Sequence, residues 1–175
     1  MNRIRLFFAI LAATLCSVRS AETIIDFEGA EIGKPVTNWV EKGVVFSLAH
    51  QPKQSKAVGR VMFFPHLATG HKGILCAMAT EQIPVQATFQ KPVSSVTLTL
   101  WGSTGCAALL EAFDKSGALI DKSFVAVIPA RSRPEDPIPT FELTVTGREI
   151  ASIRFSGPRA GEFLAADELH FTPLD

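Results

Sequence analysis

The chain has no tyrosine, two tryptophans and three cysteines among its 175 residues. Tyrosine joins a ring to a hydroxyl at many recognition surfaces, so its absence weighs against sugar binding. A charge excess is also missing, since 17 basic residues balance 17 acidic ones. That excludes the electrostatic footprint of a nucleic-acid or anionic-membrane binder. No apolar run reaches the roughly 20 residues that a membrane helix needs. No segment carries a helical stripe, and the nearest candidate, Ala77 to Gln82, is too short to stand alone. No G-x-S-x-G elbow occurs. Gly70-His71-Lys72-Gly73 lacks the spacing and the Ser/Thr of a phosphate loop. The cysteines form no C-x-x-C pair. Nothing here assembles a catalytic nucleophile, and the chain reads as a non-enzyme.

The first segment is a targeting leader. Arg3 and Arg5 precede the short apolar core Leu6 to Leu15, and Val18-Arg19-Ser20 offers small residues at −3 and −1. Cleavage before Ala21 removes residues 1–20 and leaves 21–175 as one domain. Leu15 before Cys16 is larger than a lipidation signal places there. Processing removes three arginines, so 14 basic residues face 17 acidic ones, a net charge of about −3. The expected location is secreted or periplasmic, with no membrane span. Two cysteines remain, Cys76 and Cys106. An oxidising compartment permits a disulfide between them, and the alternative is one buried and one loop thiol.

Period-two alternation dominates the mature chain. Val96, Leu98 and Leu100 alternate with Ser95, Thr97 and Thr99, which predicts a strand with one buried face. Ala108 to Phe113 predicts a second strand, Asp114-Lys115-Ser116-Gly117 a turn, and Leu119 to Val127 the returning strand. The stretch Val93 to Val127 therefore reads as an antiparallel meander. Further strands are expected at Thr23 to Gly29, Val44 to Leu48, Arg60 to Phe64, Ile74 to Met78, Val85 to Phe89, Phe141 to Val145, Ile150 to Ser156 and Glu162 to Phe171. Lys91-Pro92 and Thr146-Gly147-Arg148 read as breaks between strands. Pro129 to Pro139, with four prolines, reads as an exposed connection. Many short strands with Gly and Pro turns predict an all-β, two-sheet antiparallel β-sandwich.

Few residues suggest chemistry. Asp26 and Glu28 near the mature start, with Asp167 and Glu168 near the end, form a carboxylate set if the terminal strands adjoin. Converging carboxylates repel unless a cation or donor lies between them, and Ca²⁺ takes six to eight oxygens. The competing reading has these groups facing solvent or bonded to turn amides. His66 and His71, with His50 and His170 elsewhere, fit no zinc spacing. Trp39 reads as core or edge packing. Trp101 shares the parity of Thr97 and Thr99 and is the better ligand candidate, packing being the alternative.

Several motifs line up with a known group. Ile25-x-Phe27-Glu28 is followed by Gly43-Val44-x-Phe46, then Pro92 to Leu98, Ala112 to Leu119, and a closing Ala166-Asp167-Glu168-Leu169-x-Phe171. The pattern resembles the secreted jelly-roll domains of bacterial exported proteins, including those with PEP-CTERM tails. These are similar in fold to calcium-containing carbohydrate-binding modules. The resemblance implies a jelly roll whose first and last strands adjoin, with a structural Ca²⁺ held by Glu28 and Asp167, and by Asp26. The expected function is a non-catalytic exported module binding a glycan or another extracellular surface. The alternative is an envelope structural or protein-interaction domain with no small ligand.

Overall fold

The computed structural model describes residues 21–50, 59–63, 72–75, 83–157 and 163–174. The leader, Cys76, His66 and His71 lie outside them. The elements are β1 (Thr23–Ile25), β2 (Trp39–Glu41), β3 (Val44–Leu48), β4 (Val61–Phe63), β5 (Lys72–Leu75), β6 (Val85–Gly102), β7 (Ala108–Phe113), β8 (Leu119–Val125), β9 (Phe141–Ser156) and β10 (Leu164–Pro173). All are strands and every pairing is antiparallel.

β6 and β9 pair along nearly their whole lengths, from Val85↔Phe155 to Leu100↔Phe141. Their partners on the outer sides change halfway. The first half of β6 pairs with β3, and the second half with β10. The second half of β9 pairs with β7, which pairs in turn with β8. β10 also carries β1 and β5, and β5 carries β4. The result is a two-sheet β-sandwich of jelly-roll type. One layer holds β1, β4, β5, β10 and the adjoining halves of β6 and β9; the other holds β2, β3, the remaining halves, β7 and β8. The first and last strands adjoin, as expected, with Ile24 opposite His170.

Three sequence expectations change. The breaks at Lys91-Pro92 and at Thr146-Gly147-Arg148 are register irregularities between Thr88 and Ser95 in β6, opposite Ser152 to Thr146 in β9. Bulges bend a strand without ending it, so four expected strands are two. The stretch Val93 to Val127 is not a meander, because β9 lies between β6 and β7. Local alternation sets which face is buried, but not which strand lies alongside. The first strand also ends early. Phe27 turns the chain at φ 57°, and its ring is fully buried in spite of that backbone.

The inward residues of both layers form one cluster that includes Ile25, Phe27, Phe46, Ala87, Leu98, Leu110, Leu143, Ile153, Phe155 and Leu169. Phe27, Trp39 and Phe46 meet as an aromatic trio, with centroids 5.3–5.9 Å apart. These separations suit tilted and edge-on ring contacts. That packing holds Phe27 in a conformation a bulky residue otherwise avoids. Phe46→Ala removes a ring from the centre of the trio. We expect a loss of about 3–5 kcal/mol, read as a lower urea midpoint at unchanged m-value.

Candidate ligand-binding site

The outward residues of the second layer form rows across its strands. Lys122, Glu111, Arg154, Gln86 and Ser47 are consecutive partners on β8, β7, β9, β6 and β3. Strand spacing makes this row about 19 Å long. On β7 and β9 the row alternates with core residues: Leu110 and Ala112 flank Glu111, and Ile153 and Phe155 flank Arg154. The alternation that builds the core therefore also builds this face. Lys122 is exposed and the other four are half-buried.

Contacts between neighbours order the row. Arg154 Nε donates to Gln86 Oε1 at 2.9 Å, and Gln86 Nε2 donates to Thr88 Oγ1 at 3.1 Å. The Arg154 guanidinium lies 4.6 Å over the Phe113 ring, a cation–π arrangement that fixes its plane. Among the described residues Glu111 closes no ion pair with Lys122 or Arg154, although both are its cross-strand partners. Its oxygens stay open to outside donors. Phe113 and Phe124 lie on either side of the row, in the adjacent rows with Ser152 and Leu109. Phe124 is 68% exposed. A line of donors and acceptors flanked by two rings matches the hydroxyl edges and apolar faces of sugar rings.

Trp101 lies elsewhere. Its parity with Thr97 and Thr99 is as expected, but the ring is buried at 4% exposure. It packs on Phe163 at 4.8 Å, in a small second cluster with Ala165, Met62 and Ile138. One edge borders a cavity of ≈ 250 Å³ with Ser103, Thr104, Arg131 and Pro139. Phe163 before β10 and Ile138 of the proline-rich connection cover what alternation marks as an outer face. Phe113 and Phe124 are the aromatic residues that sequence reasoning passed over. The available signal was parity: Phe113 is opposite in phase to Ala108, Leu110 and Ala112 in the core, and Phe124 to the core-facing Val125 beside it.

The expected metal ligands do not form one constellation among the described residues, where no group of three or more His, Cys, Asp or Glu side chains is arranged to hold a metal. Asp26 Oδ1 accepts from Glu28 N at 3.3 Å, and Glu28 Oε1 accepts from Lys72 N at 3.0 Å. Asp167 occupies the bulge of β10 between Ala166 and Glu168 and is buried. Lys72 also reaches this corner. Its ammonium donates to Glu28 O at 2.6 Å and Ala30 O at 2.9 Å, tying the exit of β1 to β5. Cys106 is half-buried in the β6–β7 loop, and its pairing with Cys76 falls outside the described residues. His170 Nε2 lies 3.0 Å from Glu168 Oε2, and its Nδ1 lies 3.5 Å from Glu22 Oε1. This bridges β10 to the chain before β1.

The carboxyls of Glu41 and Asp114, on different elements, are displaced from their ordinary range. Burial raises that of Glu41 on β2. Hydrogen bonds from Ser116 and from the backbone of Ala118 lower that of Asp114, where the side chain braces the β7–β8 turn. No helix among the described residues is long and apolar enough to cross a membrane.

Neither protein-family models nor curated protein sequences give a match to this chain. Solved structures do match. An arabinose-bound GH51 α-L-arabinofuranosidase aligns with TM-score 0.55 and 9% identity, over 90% of this chain and 27% of that longer one. A family 29 carbohydrate-binding module variant in complex with mannohexaose aligns with TM-score 0.50 and 12% identity, over 89% of this chain and 93% of that one. A family 61 module with β-1,4-galactotriose aligns at 0.44, with 14% identity over 76% and 90% of the two chains. The chain has the β-sandwich fold of carbohydrate-binding modules. At these identities the likeness is one of fold.

The Lys72 clasp gives a direct test. Lys72→Met keeps the aliphatic stem and removes the ammonium from two carbonyls. We expect a loss of about 1–3 kcal/mol, measured by urea unfolding, with Lys72→Arg retaining part of it.

Proposed function

We propose that this chain is a non-catalytic, exported glycan-binding module whose ligand lies across β8, β7, β9, β6 and β3. The observation that carries the reading is the polar row from Lys122 to Ser47, flanked by Phe113 and the exposed Phe124. The fold supports it, because a module of the same architecture was solved with mannohexaose. The chemistry is recognition alone. Lys122, Arg154 and Gln86 donate, Glu111 and Ser47 accept, and the rings cover the apolar faces of the sugar. A row about 19 Å long accommodates several linked rings, so longer oligosaccharides bind more tightly than single sugars.

The second reading is an envelope protein-interaction domain. Leu119 and Phe124 on β8, with Val127 beyond it, are all exposed, and such a group favours a protein contact. Calcium belongs to this proposal as an expectation from sequence. Thermal unfolding with added Ca²⁺ and then EDTA addresses it. A calcium-dependent rise lost in Asp167→Asn supports a bound ion. Insensitivity leaves the Lys72 ammonium as the cation of that corner.

The main test is calorimetric titration with mannohexaose and β-1,4-galactotriose, backed by a wider glycan panel. Glu111→Gln and Phe124→Ala are each expected to weaken binding at least tenfold, about 1.4 kcal/mol, with little change in thermal midpoint. Silence across the panel, with self-association abolished by Phe124→Ala, would replace the glycan reading with the interaction reading.

A further inference from the structure

A second cavity opens where β6 passes from one layer to the other. β3 leaves β6 after the pair Val44↔Phe89, and β10 joins it only at Pro173↔Val93. Between these points Gln90, Lys91 and Pro92 have no strand beside them on that side. Two backbone hydrogen bonds close the ends of the gap, Gln90 N to Gly43 O at 2.9 Å and Leu174 N to Pro92 O at 3.0 Å. The space left measures ≈ 250 Å³ and is lined by Thr23, Lys42, Gly43, Gln90, Lys91, Phe171 and Pro173.

The lining is cationic with an apolar floor. It contains two lysines and no acidic side chain, and Phe171 is buried beneath it. Lys42 is the first residue of the two-residue β2–β3 turn and has φ 44°, with Gly43 following at 78°. Such a turn favours Asn-Gly, because both residues need positive φ. A lysine there carries backbone strain that a glycine would avoid. Its Nζ donates to Ile24 O at 2.6 Å, beside the lining residue Thr23, and keeps two of its three protons. Lys91 is exposed and makes no hydrogen bond or ion pair among the described residues. Two like charges on one small cavity repel, and an anion between them adds attractions to both that outweigh the repulsion.

We propose that this cavity binds the anionic group of a small ligand, a carboxylate or sulfate, with any attached ring resting on Phe171 and Pro173. The volume falls below the usual range for drug-sized ligands, so it suits one sugar ring or a free oxyanion rather than a chain of rings. The site is separate from the row on the second layer and goes beyond the proposed function.

The experiment is an NMR titration of the full chain with galacturonate, galactose and inorganic sulfate. Galacturonate should shift the amides of Thr23, Gly43 and Gln90 in a saturable way, and more weakly at high salt. Neutral galactose should not. Sulfate that competes at equal concentration assigns the site to free oxyanions; sulfate that fails to compete assigns it to the sugar acid. Lys91→Gln should weaken binding at least tenfold. Lys42→Gly should do the same while suiting the turn, so a folded variant is expected. Arg154→Ala should leave this binding unchanged, which separates its failure from that of the sheet-face reading. The proposal falls if neither anion saturates, if galactose shifts the same amides equally, or if Lys91→Gln binds as the parent does.

Discussion

The antiparallel pairing of β6 with β9 is the constraint on which the rest depends. Both strands belong to both layers, and the ladder between them is nearly continuous. Every other strand is placed by pairing with one of their halves or with a strand already so placed. The bend between the halves closes the sandwich over one core. Long-range pairing of this kind closes large loops before its contacts form, so it is entropically demanding. It also leaves the layers little freedom to shift against each other.

Both proposed surfaces follow from that pairing. Where β9, β7 and β8 extend the second layer, outward side chains fall into register and become a row. Where β6 bends, its neighbours on one side change from β3 to β10, and the ladder opens into a cavity. The row is mixed in charge, with Glu111 between Lys122 and Arg154, and it presents hydrogen-bonding groups of both kinds. The cavity is cationic and small. The two surfaces therefore differ in charge and shape and lie on different parts of one scaffold.

The clasp at Lys72 adds to the corner of the terminal strands a contact that no sequence motif displays. Glu28 and Asp167 suggested a corner where terminal strands meet, and the first and last strands do meet. The oxygen ligands there include backbone carbonyls of Glu28 and Ala30, which no side-chain pattern displays. The ammonium that reaches them comes from β5, more than 40 residues away in sequence. Gly73 beside it admits the close approach of β5 to β10, since a Cβ there would sit 2.6 Å from Ala166 O.

The sequence by itself determined the all-β class, the buried parity of most strands and the turn at Asp114 to Gly117. Each depends on neighbours a few residues apart. Alternation placed Val96, Leu98 and Leu100 inside, and they are inside. Tertiary structure alone decided that β9 lies between β6 and β7, that the interruptions at Lys91-Pro92 and Gly147 bend strands without ending them, and that Trp101 is covered. It also decided that Glu111, Arg154 and Gln86 stand side by side. Alternation specifies a face, but the partner across a ladder is set by long-range pairing, and a binding row exists only once that pairing has been made.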